Sequence, residues 1–160
     1  MDTRREEIAA TFDRRAPGYR DSDWHRASAE RLVDLWDLKP GDRVLDGGTG
    51  TGFAALHAAR KVGPAGRVVG VDISEGMLSE ARADAVASRL TNIEFIQCDA
   101  TSLAQFADST FDVVTAATSL IYIPVVDGLR EWHRLLRQGG LIAFSTMPAG
   151  RDDWEPIWRR

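Results

Sequence analysis

Val44-Leu45-Asp46-Gly47-Gly48-Thr49-Gly50-Thr51-Gly52-Phe53 is the stretch on which the reading of the chain turns. A short apolar run ends in a carboxylate, four glycines follow within six residues, and an alanine-rich helical pattern then begins. Asp72 lies twenty residues past Gly52, at the end of a second apolar run, Val68-Val69-Gly70-Val71. Strand, glycine turn, helix, strand and acid, in that order, is the layout of a nucleotide-cofactor βαβ unit. Glycines let the backbone come close to a ligand, and the acid can accept hydrogen bonds from ribose hydroxyls. A glycine turn can also join a strand to a helix with no ligand at all. The acid at this distance, and at a strand end, favours the cofactor reading.

Outward from this unit, the pattern alternates strands and helices. Strands are expected at about 43–47, 67–72, 92–97, 111–116 and 141–146, and helices at about 52–62, 75–89 and 125–137. Ser74 is placed to cap the second of these helices and Pro124 to start the third, which Gly139-Gly140 ends. Residues 99–107 read as irregular or as a short helix. Upstream, Thr3 to Arg14 reads as a helix broken by Pro17-Gly18, and a second helix runs from Ser22 to Asp37 with Ala29, Leu32, Val33 and Trp36 as its buried stripe. Continuously apolar strands alternating with helices predict an α/β fold with three layers, a Rossmann-like, mostly parallel sheet covered on both faces. Reversal after the third strand gives the order 3-2-1-4-5. Residues 1–160 then form a single domain, with 1–40 as helical N-terminal cover, 41–147 as the nucleotide-binding core and 148–160 as a short tail. Asp46, Asp72 and Asp99 all fall on the carboxyl edge of that sheet, where ligands of such folds bind.

The totals exclude several classes. At net charge −4 the chain lacks the basic excess of a nucleic-acid binder. Its strong preference for arginine, with Lys39 and Lys61 as the only lysines, reads as genome composition rather than a site. Cys98 is the single cysteine, so neither an internal disulfide nor a cysteine metal cluster is possible, and no metal is expected. The charged start, Met1 to Glu7, carries no signal-peptide pattern, and no apolar run approaches the ~20 residues of a membrane span. A cytoplasmic protein with no membrane contact is the expectation.

Two cofactors compete for the glycine loop. Gly50-Thr51-Gly52-Phe53-Ala54-Ala55 fits G-x-G-x-x-A and Asp72 fits the ribose acid of a dinucleotide site, but no Tyr-x-x-x-Lys occurs and neither lysine sits where hydride chemistry would need it. The other reading is S-adenosylmethionine. Asp46-x-Gly48-x-Gly50-x-Gly52 resembles the first motif of class I S-adenosylmethionine-dependent methyltransferases, and Gly70-Val71-Asp72-Ile73-Ser74-Glu75-Gly76-Met77-Leu78 their second block. Cys98-Asp99-Ala100, Phe111-Asp112-Val113-Val114 and Leu136-Arg137-Gln138-Gly139-Gly140-Leu141 are similar to the later ones. Phe12-Asp13-Arg14-Arg15-Ala16-Pro17-Gly18-Tyr19 resembles the opening of the group that includes the ubiquinone/menaquinone C-methyltransferases. Each block is loose by itself; the ordered set, from Phe12 to Met147, is specific.

The resemblance implies roles. Gly48, Gly50 and Gly52 would allow close approach of the methionine part and the ribose, Asp46 would meet the amino-acid moiety directly or through water, and Asp72 would bind both ribose hydroxyls. Ile73 and Met77 would sandwich the adenine, with Asp99 accepting from its amino group and the Ala100 backbone N–H near a ring nitrogen. Ala117 and Thr118 would lie by the methionine and the methyl, and Tyr19 would close over the methionine carboxylate. Several of these residues have other uses. Asp99 can cap the segment after it, Met77 keeps helical spacing with Ala81 and Ala85, and Tyr19 can pack as a loop aromatic.

Methyl transfer is an in-line displacement in which the protein chiefly positions an acceptor and excludes water. A base is needed only if the acceptor must lose a proton; His25, Tyr122 and His133 are the candidates, with His133 reading as structural and His57 as peripheral. Ala116-Ala117-Thr118-Ser119-Leu120 follows strand four in place of an Asn-Pro-Pro-Tyr-like tetrapeptide, and no Pro-Cys occurs. These absences and the acidic balance leave a small organic acceptor, such as a quinone precursor or specialised metabolite. The chain departs from the family after Met147, where the usual last two strands are missing. Strand five would then be an exposed apolar edge, covered by Trp154 and Trp158 or by a second chain of a homo-oligomer or partner. A cofactor-binding but catalytically incomplete subunit is therefore the alternative to an active methyltransferase, with an NAD-dependent oxidoreductase third.

Overall fold

A computed structural model describes residues 3–146 of the chain; the expected tail, with Trp154 and Trp158, lies outside the described residues. Five parallel strands, β1 (Arg43–Gly47), β2 (Arg67–Asp72), β3 (Ile93–Gln97), β4 (Phe111–Ala117) and β5 (Leu136–Ser145), lie in the order β3-β2-β1-β4-β5. That is the predicted doubly wound order, with the reversal between β1 and β4. The helices are α1 (Thr3–Tyr19), α2 (Asp23–Asp34), α3 (Phe53–Val62), α4 (Glu75–Ala87) and α5 (Val125–Leu135).

Alternation along the strands sorts the core into two layers. Val44, Val68 and Val113 face one side, where Ala29 and Val33 of α2 and the alanines of α3 cover them. Leu45, Val69, Val71, Val114 and Ala116 face the other, under Trp132 and Leu135 of α5 and Ala100 and Leu103 of the segment after β3. Continuously apolar strands are thus explained by burial on both faces. The segment after β3 is irregular, and Arg134 of α5 fastens it: its guanidinium donates to the carbonyls of Leu103 and Phe106 and to Asp108 and Glu131. Trp132 is fully buried and donates its indole N–H to Ala100 O at 2.9 Å.

Three boundaries differ from the sequence reading, each for a local reason. α1 does not break at Pro17-Gly18 but runs on to Tyr19. Proline keeps helical φ and removes only a donor, and the carbonyl thereby left over, that of Asp13, lies against Gly76 of α4. α2 stops at Asp34 rather than Asp37; Trp36 is half-buried beyond its end and Leu38 enters the core. On α5 the buried face is Gly128, Trp132 and Leu135, while Val125 is 46% exposed. Gly139-Gly140 do not end a helix. α5 passes into β5 at Leu136, and residues 137–140 bulge out opposite the single residue Asp112, with Gly139 at φ +76°. Asp112 holds this bulge by accepting from Arg43 N at 2.7 Å and from the Arg137 guanidinium.

Trp132→Ala should lower stability by about 3–5 kcal/mol in urea unfolding, because a fully buried indole leaves a cavity between α5 and β1. Trp132→Phe should lower it by about 1–3 kcal/mol, because Ala100 O loses its donor.

Candidate functional site

The carboxyl ends of β1, β2 and β4 and the turn after β3 open into a cleft roofed by α1. Its floor is the glycine loop. Gly48 N and Thr49 N both donate to Val71 O, at 2.8 and 2.9 Å, so the loop hangs from the end of β2. Asp72 ties it a second time: its Oδ2 accepts from Gly50 N at 2.8 Å and its Oδ1 from Ser74 N at 2.9 Å. A Cβ at Gly50 would meet nothing within 4 Å, so this turn presents open backbone beside the Asp72 carboxylate.

Asp46, 1% exposed, lies beneath the loop. Its two oxygens accept from Thr49 Oγ1 at 2.7 Å and Thr115 Oγ1 at 2.8 Å. Burial pushes this carboxyl up to about 6, against the pull of the two hydroxyls, and the nearby Asp72 charge adds to the rise. Burial likewise raises Asp72. Two carboxylates that resist ionisation in one cleft are suited to a ligand that carries positive charge or donates several hydrogen bonds.

Asp99 follows β3. Its Oδ1 accepts from Thr101 N and Thr101 Oγ1, both at 2.8 Å, which is the capping role read from the sequence. Its Oδ2 is buried without an aligned hydrogen bond, and the Arg5 guanidinium of α1 stands 2.7 Å from it as an ion pair. Ala100, Ile73 and Met77 line the same end of the cleft, Met77 with only 1% exposure. At the other wall Thr118 leaves β4 at φ +57°, a left-handed conformation unusual for a β-branched residue and costing about 1–3 kcal/mol. Its N–H donates to Ser145 O at 3.0 Å, and the turn brings Ser119 Oγ to Gly47 O at 2.7 Å.

Tyr19, Asp46, Gly48, Gly50, Asp72, Ile73, Met77, Asp99, Ala100, Ala117 and Thr118 therefore all line one cleft. Gly52 does not. It sits at φ +84° at the start of α3, where a Cβ would come within 3.0 Å of Ala81 and 3.1 Å of Phe95, so its lack of a side chain serves helix packing. Of the base candidates, His25 and Tyr122 line the cleft, and His25 Nδ1 is 2.6 Å from Ser22 Oγ. Burial and Arg15 lower His25, which keeps it neutral near pH 7. His133 is exposed on α5 outside the cleft lining and drops out of the site. His57 is bound to Asp34 at 2.9 Å, away from the cleft, as a peripheral residue would be.

The sequence reading missed Thr49 and Thr115, whose hydroxyls hold Asp46, and missed Arg5, Ile8 and Phe12 as a cleft wall. Threonines in a glycine loop and a strand give no signal of their own. Ile8 and Phe12 did give one, apolar residues at helical spacing, which is equally the mark of core packing; Arg5 gave none. An aromatic cluster closes this wall: Phe12 meets Tyr122 edge-on at 5.0 Å, and Tyr19 lies 4.3 Å from the His25 ring.

The chain is similar to known proteins. Residues 44–140 match a family model described as a methyltransferase domain. The ubiquinone/menaquinone biosynthesis C-methyltransferase of Stenotrophomonas maltophilia is 41% identical over 145 residues, which cover 84% of this chain and 54% of that protein. Aklanonic acid methyltransferase of Streptomyces sp. (strain C5) is 41% identical over 117 residues, covering 72% and 53%. Among solved structures, a SAM-dependent methyltransferase from Aquifex aeolicus superposes with a TM-score of 0.70 at 26% identity, over 80% of this chain and 68% of that one. The chain spans about half the length of the curated relatives it matches. With the family model covering more than half of its residues and relatives at 41% identity, the chain belongs to the methyltransferase domain family.

Proposed function

We propose that the chain binds S-adenosylmethionine in the cleft and is the cofactor-binding part of a methyltransferase acting on a small organic acceptor. The observation that carries this reading is the convergence of Asp72, the open Gly50 backbone and the Oδ2 of Asp99, which accepts no hydrogen bond, on one cleft at the sheet's reversal point. Family membership sets aside the dinucleotide alternative that the glycine loop leaves open.

The residues fit an adenosyl ligand chemically. Asp72 keeps lone pairs for the ribose hydroxyls beside its two backbone bonds. Ile73 and Met77 offer an apolar slot for the adenine, with the buried Asp99 Oδ2 as acceptor for its amino group. Asp46 supplies negative potential beneath the loop for the methionine ammonium. Ala117, Thr118 and Tyr19 border the methionine end. When bound, the cofactor supplies a methyl group on a sulfonium, ready for displacement. Phe12, which meets Tyr19 and Tyr122 edge-on, gives an acceptor an aromatic wall at that end. His25, neutral and held by Ser22, is the residue placed to take a proton where the acceptor must lose one.

A second reading, cofactor binding without turnover by this chain alone, is favoured by one observation. β5 is one of the two sheet edges, pairing only with β4 among the described residues, and Leu141 and Phe144 on it are 38% and 46% exposed. We take this edge as an association surface, by which a second chain would complete the sheet. Light scattering should then show mass rising with concentration; a monomer at all concentrations would refute the association. No described helix is long and apolar enough to cross a membrane.

In calorimetry, Asp72→Ala should weaken S-adenosylmethionine binding by ~1–3 kcal/mol, since a charged acceptor of hydroxyl bonds is lost. Unchanged affinity would remove Asp72 from the site. Affinity should also fall as pH drops through about 6, where Asp46 takes up a proton and the negative potential disappears. The loss should approach about tenfold per pH unit below that point. A flat profile from pH 5 to 8 would show that Asp46 does not face the ligand's charge.

A further inference from the structure

α1 faces the cleft. Arg5, Ile8, Phe12 and Tyr19 line it at spacings of three, four and seven residues, which places them on one side of the helix. Ala16 is the helix's only buried residue, and the apolar Ile8, Phe12 and Tyr19 face the cleft. Polar ties hold this roof, among them one from Asp13 and one from Arg5. Near the middle, Asp13 Oδ1 accepts from Ser74 Oγ at 2.6 Å and from Gly76 N at 2.9 Å, at the start of α4. Gly76 permits the approach, because a Cβ there would lie 3.0 Å from Asp13 Cα. Toward the N-terminal end Arg5 pairs with Asp99.

The two oxygens of Asp99 have different fates. Oδ1 is committed to Thr101, which supplies both its backbone N–H and its hydroxyl. Oδ2 is the oxygen left for an adenine amino group, and the Arg5 guanidinium stands on it without hydrogen-bond alignment. We infer that Arg5 gates the adenine end of the cleft. In the empty protein its ion pair with Asp99 Oδ2 keeps α1 shut, and an adenosyl ligand enters by exchanging its own amino N–H for the guanidinium. Asp13 keeps the middle of the helix in place, so the N-terminal turns are the part that must lift. The inference rests on the adenine role of Asp99 given above.

A partly exposed pair, with side chains 34% and 21% accessible, is a weak latch that salt can loosen. Its opposition to entry is worth up to about fivefold in rate. The test is stopped-flow binding of S-adenosylhomocysteine to the full chain. Arg5→Ala should bind about two- to five-fold faster and somewhat tighter, with dissociation changed by less than about twofold. Arg5→Lys, which keeps the charge, should fall between it and wild type. Raising the salt concentration should speed binding to wild type but not to Arg5→Ala. Arg14→Ala, which removes an exposed arginine of the same helix, should behave as wild type. Unchanged association in Arg5→Ala would overturn the inference. So would faster release with weaker affinity, which would make Arg5 a clamp on the ligand. Absence of binding in wild type and every variant would instead bring down the cofactor reading, and the gate with it.

Discussion

A buried carboxylate beneath a glycine loop is the constraint on which the site depends. Asp46 ends β1 inside the protein, where charge is disfavoured, and burial alone would push it toward the neutral acid. Two threonine hydroxyls hold it instead, one from the loop and one from β4, so the carboxylate joins the two central strands to the turn that follows. Asp72 repeats the device one strand over, gripping Gly50 N and Ser74 N. The loop is thereby fixed in shape before any ligand arrives. Preorganisation of this kind lowers the ordering cost of binding.

The two walls of the cleft differ in kind. One is the carboxyl edge of a five-stranded sheet packed on both faces, with Trp132 and Arg134 anchoring the segment that carries Asp99 and Ala100. The other is a single helix, α1, with Asp13 and Arg5 among its ties. A rigid floor and a lightly held roof suit a protein that must admit a large cofactor and then shut out water. At the far side of the sheet, β5 carries the opposite character, an apolar edge with one unpaired flank among the described residues. The chain covers about half of its curated relatives' length.

Much of this was legible from residue order. Strand apolarity, the glycine loop and the acids at strand ends led to the sheet order, and eleven of the twelve residues read as cofactor contacts line one cleft. Gly52 departs because a glycine at a helix start can serve a ligand or a neighbouring helix, and only the positions of Ala81 and Phe95 decide which. Pro17 misled because a proline in a final helical turn loses one hydrogen bond without ending the helix. The Gly139-Gly140 pair misled because a strand bulge and a helix end use the same residue. Arg5 was invisible because its partner, Asp99, is ninety-four residues away and the contact exists only once α1 has been laid across the cleft.

The most direct measurement is a crystal structure of the chain with S-adenosylhomocysteine bound. It should show the ribose hydroxyls on Asp72, the adenine between Ile73 and Met77 with its amino group on Asp99 Oδ2, and Arg5 moved off that oxygen. A ligand seated elsewhere, or an adenosyl group that leaves Asp72 with only its Gly50 and Ser74 bonds, would contradict the account.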